Sequence, residues 1–341
     1  MYIHDKRTPS YNQWLTPVHW RIVCKEHNAD RECYSGGISQ QTHGFIQFAA
    51  ANSSMRRIGL IGVGFIGKLF VDDLRSAEYP VTAYDIDESQ LEYALERGAE
   101  AADSPAAVAA GADVVVLALP GHSEVQSVME GEPRGVVETL DSDQCVIDTS
   151  TTGPEAATEY EQKCAERGAG FVTAPLTRNA PSGDGIHMMV GGSPSDYDEV
   201  RPVLDTISEA HTRIGDAHDA QTFKLMIQMR YAGQQAIDAE IVEFGRNNGI
   251  DPERMNEFLG MDVWEQYFTL DFAPAIEGLG GLAIWHKDLG YALALARESN
   301  TATPLTSTVH EAYKSAIEMA DEDEGHAAAT IRHWRRHNGA E

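Results

Sequence analysis

The chain has 341 residues, 42% of them hydrophobic, and a formal net charge of −27. This length allows two domains with a substantial core in each, and no apolar run approaches the ~18 residues that a membrane span needs. So acidic a surface repels phosphate, which argues against a nucleic-acid-binding protein.

The acidic charge is concentrated after residue 54. Residues 1–54 hold five of the 26 basic and four of the 53 acidic side chains, which leaves 21 basic and 49 acidic ones, a net charge of −28, in residues 55–341. Only five of those 21 are lysines. An acidic, lysine-poor surface indicates a halophilic protein, adapted to a salt-rich cytoplasm where screening weakens self-repulsion. An ordinary acidic protein is the alternative.

Residues 1–54 differ from the rest of the chain because they show no clear hydrophobic period. We interpret them as a flexible extension, or as translated sequence upstream of a true start at Met55. The first thirty residues lack the apolar segment of a signal peptide, so a cytoplasmic location is expected. Beyond them, Cys145 and Cys164 are too few and too far apart to predict a zinc site or a disulfide framework.

A glycine motif follows the first predicted strand of residues 55–217, which we predict to be one domain. In "IGLIGVGFIGKLFVDDL" the motif lies between an apolar strand and an amphipathic helix. This context is typical of a dinucleotide-binding turn, in which glycines allow a tight turn, the approach of a pyrophosphate and close helix packing. A glycine turn in an unrelated α/β protein is the alternative. The predicted cofactor contacts in this turn are Gly62, Val63, Gly64, Phe65, Ile66 and Gly67.

The second predicted strand, "PVTAYDI", carries Asp85. Asp85 follows the glycines by about twenty residues, the sequence separation at which an acidic residue bonds the ribose hydroxyls. Because a carboxylate there repels a 2′-phosphate, the sequence favours NAD over NADP as the cofactor.

Further strands, expected in "ADVVVLALP", "QCVIDTST", "GFVTAP" and "IHMMVGG", alternate with helical patterns and predict a parallel sheet. Ligands of such sheets bind beyond the carboxyl ends of the strands. Leu119, Pro120 and Thr151 lie at such ends, so we expect them to line a nicotinamide pocket. Ordinary strand termination is the alternative.

The stretch "FVTAPLTRNAP", residues 171–181, places Thr177, Arg178 and Asn179 between two prolines. All three side chains can bind an anion, so the stretch predicts a binding loop. A turn with a solvated arginine is the alternative.

Only helical patterns follow residue 219, which predicts an all-helical domain over residues 218–341. Lys224 lies near the start of its first, long helix, and Gln228 lies one turn later on the same face. The helix dipole and apolar neighbours disfavour the charged form of such a lysine, which lowers its pKa and lets it exchange a proton with a substrate oxygen. A solvated surface lysine is the alternative.

A charged pair, Lys287 and Asp288 in "IWHKDLGYALALA", precedes another predicted helix. These two residues either bind a ligand or simply cap the helix. We interpret His286 as structural and "DEDEGH" at 321–326 as a solvated connection. No metal site is predicted.

Six motifs occur in an order and at spacings that a known family shares. They are the glycine fingerprint at 62–67, "LP" at 119–120, "DTSTTGP" at 148–154, "APLTRN" at 174–179, "K-x-x-x-Q" at 224–228 and "KDL" at 287–289. From residue 55 to about residue 335 the chain resembles the β-hydroxyacid dehydrogenases, which include 3-hydroxyisobutyrate dehydrogenase, tartronate semialdehyde reductase and sulfolactaldehyde reductase.

This resemblance implies an α/β Rossmann-type dinucleotide-binding domain followed by an all-α C-terminal domain, with the active site in the cleft. It also implies a homodimer or homotetramer formed through the helical domain. Lys224 matches the family's catalytic lysine, which donates a proton to the carbonyl oxygen during reduction and withdraws it during oxidation. Thr151 and Lys287 match positions that contact the cofactor near the nicotinamide, and Asp288 matches a position close to the substrate.

The chain departs from the family pattern in three places. Gln228 replaces the usual asparagine, "DAHDAQTF" replaces a glycine-rich approach to the lysine, and Thr177-Arg178-Asn179 replaces a Ser-Gly-Gly substrate loop. An arginine adds a fork of donors suited to carboxylate, sulfonate or phosphate. Sulfolactaldehyde reductases resemble this chain in carrying an arginine at the corresponding position.

The function implied is an NAD-dependent hydroxyacid dehydrogenase that interconverts a small anionic β-hydroxyacid and its semialdehyde or keto form, with Lys224 as general acid and base. The alternatives are a reductase of sulfonated or dicarboxylic semialdehydes, and an NAD(P)-binding regulatory module without catalysis. Family relatives of the regulatory kind lose the lysine. Imine reductases generally carry another residue there, and 6-phosphogluconate dehydrogenases have a longer helical domain.

Overall fold

The computed structural model describes residues 55–180, 183–251, 254–255, 257, 281–319 and 333–339. Our interpretations of residues 1–54 and of the connection at 321–326 lie outside these residues. The described residues belong to one compact unit, residues 54–341. The domain boundary between residues 217 and 218 stays a prediction.

One nine-stranded sheet forms the centre of the structure. Its strands are β1 (Ile58–Ile61), β2 (Val81–Tyr84), β3 (Glu100–Ala101), β4 (Val114–Leu117), β5 (Cys145–Asp148), β6 (Gly170–Thr173), β7 (Leu176–Ala180), β8 (Gly183–Gly192) and β9 (Ala210–Gly215). The first six lie in the order β3-β2-β1-β4-β5-β6, all parallel. β8 pairs antiparallel with β6 and β7, and β9 pairs parallel with β8. The order reverses at β1, where open α/β sheets bind ligands.

Helices connect these strands and continue beyond them. They are α1 (Phe65–Ser76), α2 (Glu88–Glu96), α3 (Pro105–Gly111), α4 (His122–Glu130), α5 (Val136–Thr139), α6 (Pro154–Glu166), α7 (Pro194–Ile207), α8 (Ala217–Asn247), α9 (Gly281–Glu298) and α10 (Pro304–Met319). The side chains of Asp87, Ser104, Ser193 and Asp216 cap α2, α3, α7 and α8 by accepting a backbone N–H of the first turn. Such caps satisfy donors that would otherwise lack partners, which explains where these helices begin.

The central strands β1 and β4 have no polar side chains because both faces of the sheet are covered. Ile58 and Leu60 of β1 join the hydrophobic cluster under α1 and α7, whereas Ile61 joins the cluster on the opposite face. A side chain of this size contributes about 1.5–3 kcal/mol when fully buried. The two clusters therefore fix the carboxyl ends of the strands as a rigid edge.

α8, α9 and α10 pack on one another beyond the sheet. Their shared core includes Ala232, Leu289 and Tyr313, and the Tyr313 hydroxyl donates to the Ala232 carbonyl oxygen at 2.8 Å. Within the described residues no helix combines the length and apolar character that crossing a membrane requires. The predicted fold class, an α/β Rossmann-type domain followed by a helical C-terminal domain, is confirmed.

The prediction of a binding loop at Thr177, Arg178 and Asn179 is wrong in its local structure, whereas the strand predicted in "GFVTAP" is present as β6. Residues 176–180 form strand β7, in which Arg178 lies opposite Ile186, and a register shift follows before Ala180. The polar sequence of β7 has no strand pattern, so its conformation comes from backbone pairing with β8 rather than from side-chain propensity. The sequence also failed to predict β3 and β9.

The helix that carries Lys287 and Asp288 begins earlier than predicted. α9 starts at Gly281, so both residues lie inside the helix and do not precede it. Capping is therefore excluded for this pair. The nonpolar residues before them extend the helix because Leu282 packs into the shared helical core.

Candidate active site

The turn between β1 and α1 has the shape that a dinucleotide requires. Gly62 has φ +94°, and an added Cβ there would meet the carbonyl oxygen of Ala118. A Cβ on Gly67 would meet the carbonyl oxygen of Gly62, whereas the space around Gly64 is open. Gly64 is the N-cap of α1 and provides no side-chain cap. Its uncapped N–H groups and open space fit the pyrophosphate of a dinucleotide.

Asp85 directly follows β2 and is held beside this turn. Its Oδ2 accepts the N–H of Val63 at 2.6 Å, and its Oδ1 accepts the N–H of Asp87 at 2.9 Å. Both carboxylate oxygens are thus oriented by backbone donors. The predicted contact with ribose hydroxyls fits this position and remains a prediction.

Hydrogen bonds join the carboxyl ends of β4 and β5. Leu119 donates its N–H to Ser150 Oγ at 3.2 Å, and Ser150 donates its N–H to Asp148 Oδ1 at 2.9 Å. Asp148 is fully buried, and this burial raises its pKa to about 6 against the opposing effect of the Ser150 bonds. The segments 118–121 and 149–153 therefore form one connected wall of the site.

Helix α9 reaches this wall through Lys287. Its Nζ donates to the carbonyl oxygen of Thr151 at 3.0 Å and lies 2.9 Å from Asp288 Oδ1. The same amine lies 5.1 Å from the centre of the Tyr291 ring, and the lysine side chain packs against Gly121. The structure thus brings Thr151 and Lys287 together, and their contact with the cofactor remains a prediction.

Lys224 and Asp288 form the polar centre on the helical side. Lys224 is 7% exposed, and its Nζ donates to the carbonyl oxygen of Leu176 at 2.8 Å. Asp288 is 1% exposed, and its Oδ2 accepts Gln228 Nε2 at 2.5 Å. The predicted pair of Lys224 and Gln228 on one face of α8 is therefore buried, and the solvated-lysine alternative is excluded.

Burial lowers the pKa of Lys224 to about 8. Asp288 acts in the opposite direction and Lys287 in the same direction, both through charge. An amine with a pKa near 8 is present in both protonation states near neutral pH, which a residue that gives and takes protons requires.

Thr177 directly follows Leu176, whose carbonyl oxygen binds Lys224. The start of β7 therefore adjoins the lysine, although β7 is a strand and not a loop. The side chains of Arg178 and Asn179 lie outside the described part of the structure, so their anion-binding role remains a prediction.

Two family models match most of the chain. Residues 57–215 match the NAD binding domain of 6-phosphogluconate dehydrogenase, and residues 219–333 match the family described as NAD-binding of NADP-dependent 3-hydroxyisobutyrate dehydrogenase. The chain belongs to the β-hydroxyacid dehydrogenase family. As a member, it is an NAD(P)-dependent oxidoreductase of the hydroxyacid dehydrogenase class.

Relatives of this dehydrogenase match over nearly their full length. 2-(Hydroxymethyl)glutarate dehydrogenase of Eubacterium barkeri is 29% identical over 294 residues, 83% of this chain and 96% of the relative. 3-Hydroxyisobutyrate dehydrogenase of Pseudomonas aeruginosa is 27% identical over 286 residues, 80% and 95% of the two chains. A solved 3-hydroxyisobutyrate dehydrogenase from Mycobacterium tuberculosis has 23% identity and a TM-score of 0.70, and covers 83% of this chain and 100% of its own. That structure supports the fold.

The sequence missed three residues that contact the candidate site: Gln221, Tyr291 and the buried Asp148. Tyr291 lies one turn after Lys287, and its hydroxyl accepts the N–H of His122 at the start of α4 at 3.2 Å. Gln221 lies one turn before Lys224 and is fully buried. Helical spacing from the two predicted lysines is the signal that could have found Tyr291 and Gln221.

Proposed function

We propose that the enzyme interconverts a small anionic β-hydroxyacid and its semialdehyde or keto form, with NAD as cofactor and Lys224 as general acid and base. The observation that carries this proposal is the Lys224 amine. It is buried, has a pKa lowered to about 8 by that burial against the opposing charge of Asp288, and donates to Leu176 at the start of β7.

The dinucleotide, when bound, accepts or supplies a hydride. In the oxidation direction, neutral Lys224 would take the proton of the substrate hydroxyl, and the carbon that carries this hydroxyl would lose its hydride to the dinucleotide as the carbonyl forms. In reduction, protonated Lys224 gives that proton to the developing alkoxide. The nearby Asp288 favours the protonated lysine, so the amine can retain the hydroxyl proton, which then returns to solvent before the next oxidation.

NAD is the proposed cofactor because of Asp85. A carboxylate already oriented toward the glycine turn by Val63 and Asp87 would repel the 2′-phosphate of NADP. The description of the second matching family includes NADP, so the choice needs a direct comparison of rates with NAD and NADP.

The proposed substrate is a small hydroxyacid whose acidic group contacts Thr177, Arg178 and Asn179. The position of Leu176 against Lys224 supports a site that begins at Thr177. The named substrates of relatives are small hydroxyacids, namely 2-(hydroxymethyl)glutarate, 3-hydroxyisobutyrate and L-threonate. The first of these is a dicarboxylate, which favours the related hypothesis of a dicarboxylic or sulfonated semialdehyde, because an arginine fork suits a second anionic group.

A homodimer or homotetramer is proposed as the functional assembly. Met226, Ile237 and Phe244 lie along one stripe of α8 and are 58%, 46% and 73% exposed. A row of exposed apolar side chains on one helix supports contact with a second copy. Light scattering of the wild type and of Phe244→Glu tests this assembly.

The proposed location is the cytoplasm, and the acidic surface is proposed to be an adaptation to a high salt concentration there.

The deciding experiment is a turnover assay at high salt with NAD and a panel of hydroxyacids, on the wild type, Lys224→Ala and the control Lys314→Ala. Lys314 is an exposed lysine of α10. We expect Lys224→Ala to abolish turnover while it still binds NADH, and Lys314→Ala to behave as wild type. NADH binding without turnover of any acid by the wild type would instead favour the regulatory module.

A further inference from the structure

The amide of Gln221 makes four hydrogen bonds at the centre of the site. Its side chain is completely buried, and a side-chain amide has two acceptor positions and two donor hydrogens. Its Oε1 accepts the N–H groups of Thr152 at 3.2 Å and Gly153 at 3.3 Å, and its Nε2 donates to the carbonyl oxygen of Ser150 at 3.0 Å and to Thr173 Oγ1 at 2.8 Å.

These partners lie at the carboxyl ends of β5 and β6. Ser150, Thr152 and Gly153 flank Thr151, whose carbonyl oxygen binds Lys287. Thr173 ends β6. One amide therefore connects the start of α8 to the segment after β5 and to the end of β6.

We propose that Gln221 is a positioning residue of this site, which holds the proton-transferring Lys224 at a fixed distance from the 150–153 segment beside the nicotinamide pocket. The inference rests on the proposed role of Lys224. The two residues are three apart on α8, so they project from the same face of one rigid helix. A displacement of about 1 Å between reacting groups can cost about 100-fold in rate.

The same contacts bear on the environment of Lys224. Burial lowers the pKa of its amine to about 8, and the fixed approach of α8 to the strand ends maintains that burial. If the Gln221 bonds are lost, we expect water to reach the amine and its pKa to rise toward the ordinary value of a lysine. A role confined to fold stability would leave this pKa unchanged in the folded protein.

The first test measures Lys224 without cofactor or substrate. The wild type, Gln221→Met, Gln221→Glu and Gln235→Met are acetylated with trace acetic anhydride between about pH 7 and pH 11, and labelling of Lys224 is followed by peptide mass spectrometry. Gln235 is the matched control because it is a buried glutamine of the same helix, 14 residues beyond Gln221. We expect a midpoint near 8 in the wild type and control, and one raised by at least about half a unit in Gln221→Met.

The second test measures steady-state rates with NAD and, as probe substrates, 2-(hydroxymethyl)glutarate and 3-hydroxyisobutyrate. We expect Gln221→Met to lower kcat about 10- to 100-fold with a change in KM below about threefold. Gln221→Glu keeps the acceptor for Thr152 and Gly153 but loses the donor to Ser150, so an intermediate loss is expected. If circular dichroism shows that Gln221→Met is unfolded, Gln221→Glu provides the test through its kcat and KM, because its added negative charge would itself raise the pKa of Lys224.

An unchanged labelling midpoint and kcat in the Gln221 variants would overturn the inference, as would equal losses in Gln235→Met. A raised midpoint in an enzyme whose wild type oxidises neither probe would support the positioning role while counting against the proposed function. Turnover by the wild type with no midpoint shift in the variants would support the proposed function and count against the positioning role of Gln221.

Discussion

Lys224 donates a hydrogen bond from its Nζ to the carbonyl oxygen of Leu176, at 2.8 Å. This bond joins the second turn of α8 to the first residue of β7, and the two bonded residues are 48 apart in sequence. It also places the amine beside Thr177, the first residue of the predicted anion contact. One lysine thus adjoins both the helical centre around Asp288 and the start of the proposed substrate contact.

The pH dependence of turnover should follow Lys224. Oxidation needs the neutral amine and reduction needs the protonated amine, so kcat/KM for oxidation should rise with pH through about 8 and kcat/KM for reduction should fall through the same value. Rates measured in both directions at constant salt, with NADH affinity as a control, check this. A flat profile from about pH 7 to about pH 9.5 would exclude Lys224 as the titrating group.

Gln228→Glu should raise the pH at which these rates change, because it should raise the pKa of Lys224. Gln228 Nε2 donates to Asp288 Oδ2 at 2.5 Å, so a carboxylate at this position adds negative charge on the same face as Lys224. Negative charge favours the ammonium form and raises the pKa of a lysine. The profile of Gln228→Glu is compared with that of Gln235→Glu, in which the same change lies farther along α8. Equal profiles in the two variants would contradict the proposed coupling of Gln228 to Lys224 through Asp288.

The sequence predicted the elements of this site better than their contacts. The glycine turn was predictable because Gly62 and Gly67 face backbone atoms that exclude any side chain, a requirement that a spacing pattern carries. β7 was not predictable, because its strand conformation depends on pairing with β8 and not on its own residues. Gln221 was missed for a similar reason: its partners lie 48 to 71 residues away in sequence, and only the fold brings them together.

Asp85→Asn should relax the cofactor preference. The amide keeps an oxygen that can accept the N–H of Val63, so the glycine turn is retained while the charge that repels a 2′-phosphate is removed. We expect the NAD to NADP ratio of kcat/KM to fall at least about tenfold, a change equivalent to about 1.4 kcal/mol. Asp103→Asn, at an exposed aspartate, is the control. An unchanged ratio would show that Asp85 does not determine the cofactor.

Salt should stabilise the protein strongly. Residues 55–341 carry a net charge of −28, and mobile ions screen repulsion between exposed charges beyond about 10 Å at 0.1 M salt and about 3 Å at 1 M. We expect the Tm to rise continuously between about 0.1 M and about 2 M KCl. Sucrose at matched water activity controls for general solvent effects. A Tm that does not change with KCl would favour the ordinary acidic protein.

Asp148→Asn should stabilise the fold at neutral pH. Burial raises the pKa of Asp148 from 3.8 to about 6, so the folded state binds its proton more tightly than the unfolded state does, and stability falls as the pH rises from about 4 to about 6. Above pH 6 the full cost remains, at most about 3 kcal/mol for a shift of about two units. Asparagine removes this cost and retains an oxygen for the N–H of Ser150.

Urea unfolding at several pH values checks this prediction. We expect Asp148→Asn to exceed the wild type by about 1–3 kcal/mol at pH 7.5 and by almost nothing at pH 4, because the wild-type carboxyl is then protonated in the folded state. Asp141→Asn, at an exposed aspartate just before β5, should show no such pH dependence. A difference that stays constant from pH 4 to pH 7.5 would mean that ionisation of Asp148 does not limit stability, and that its buried carboxylate is stabilised by the partners around it.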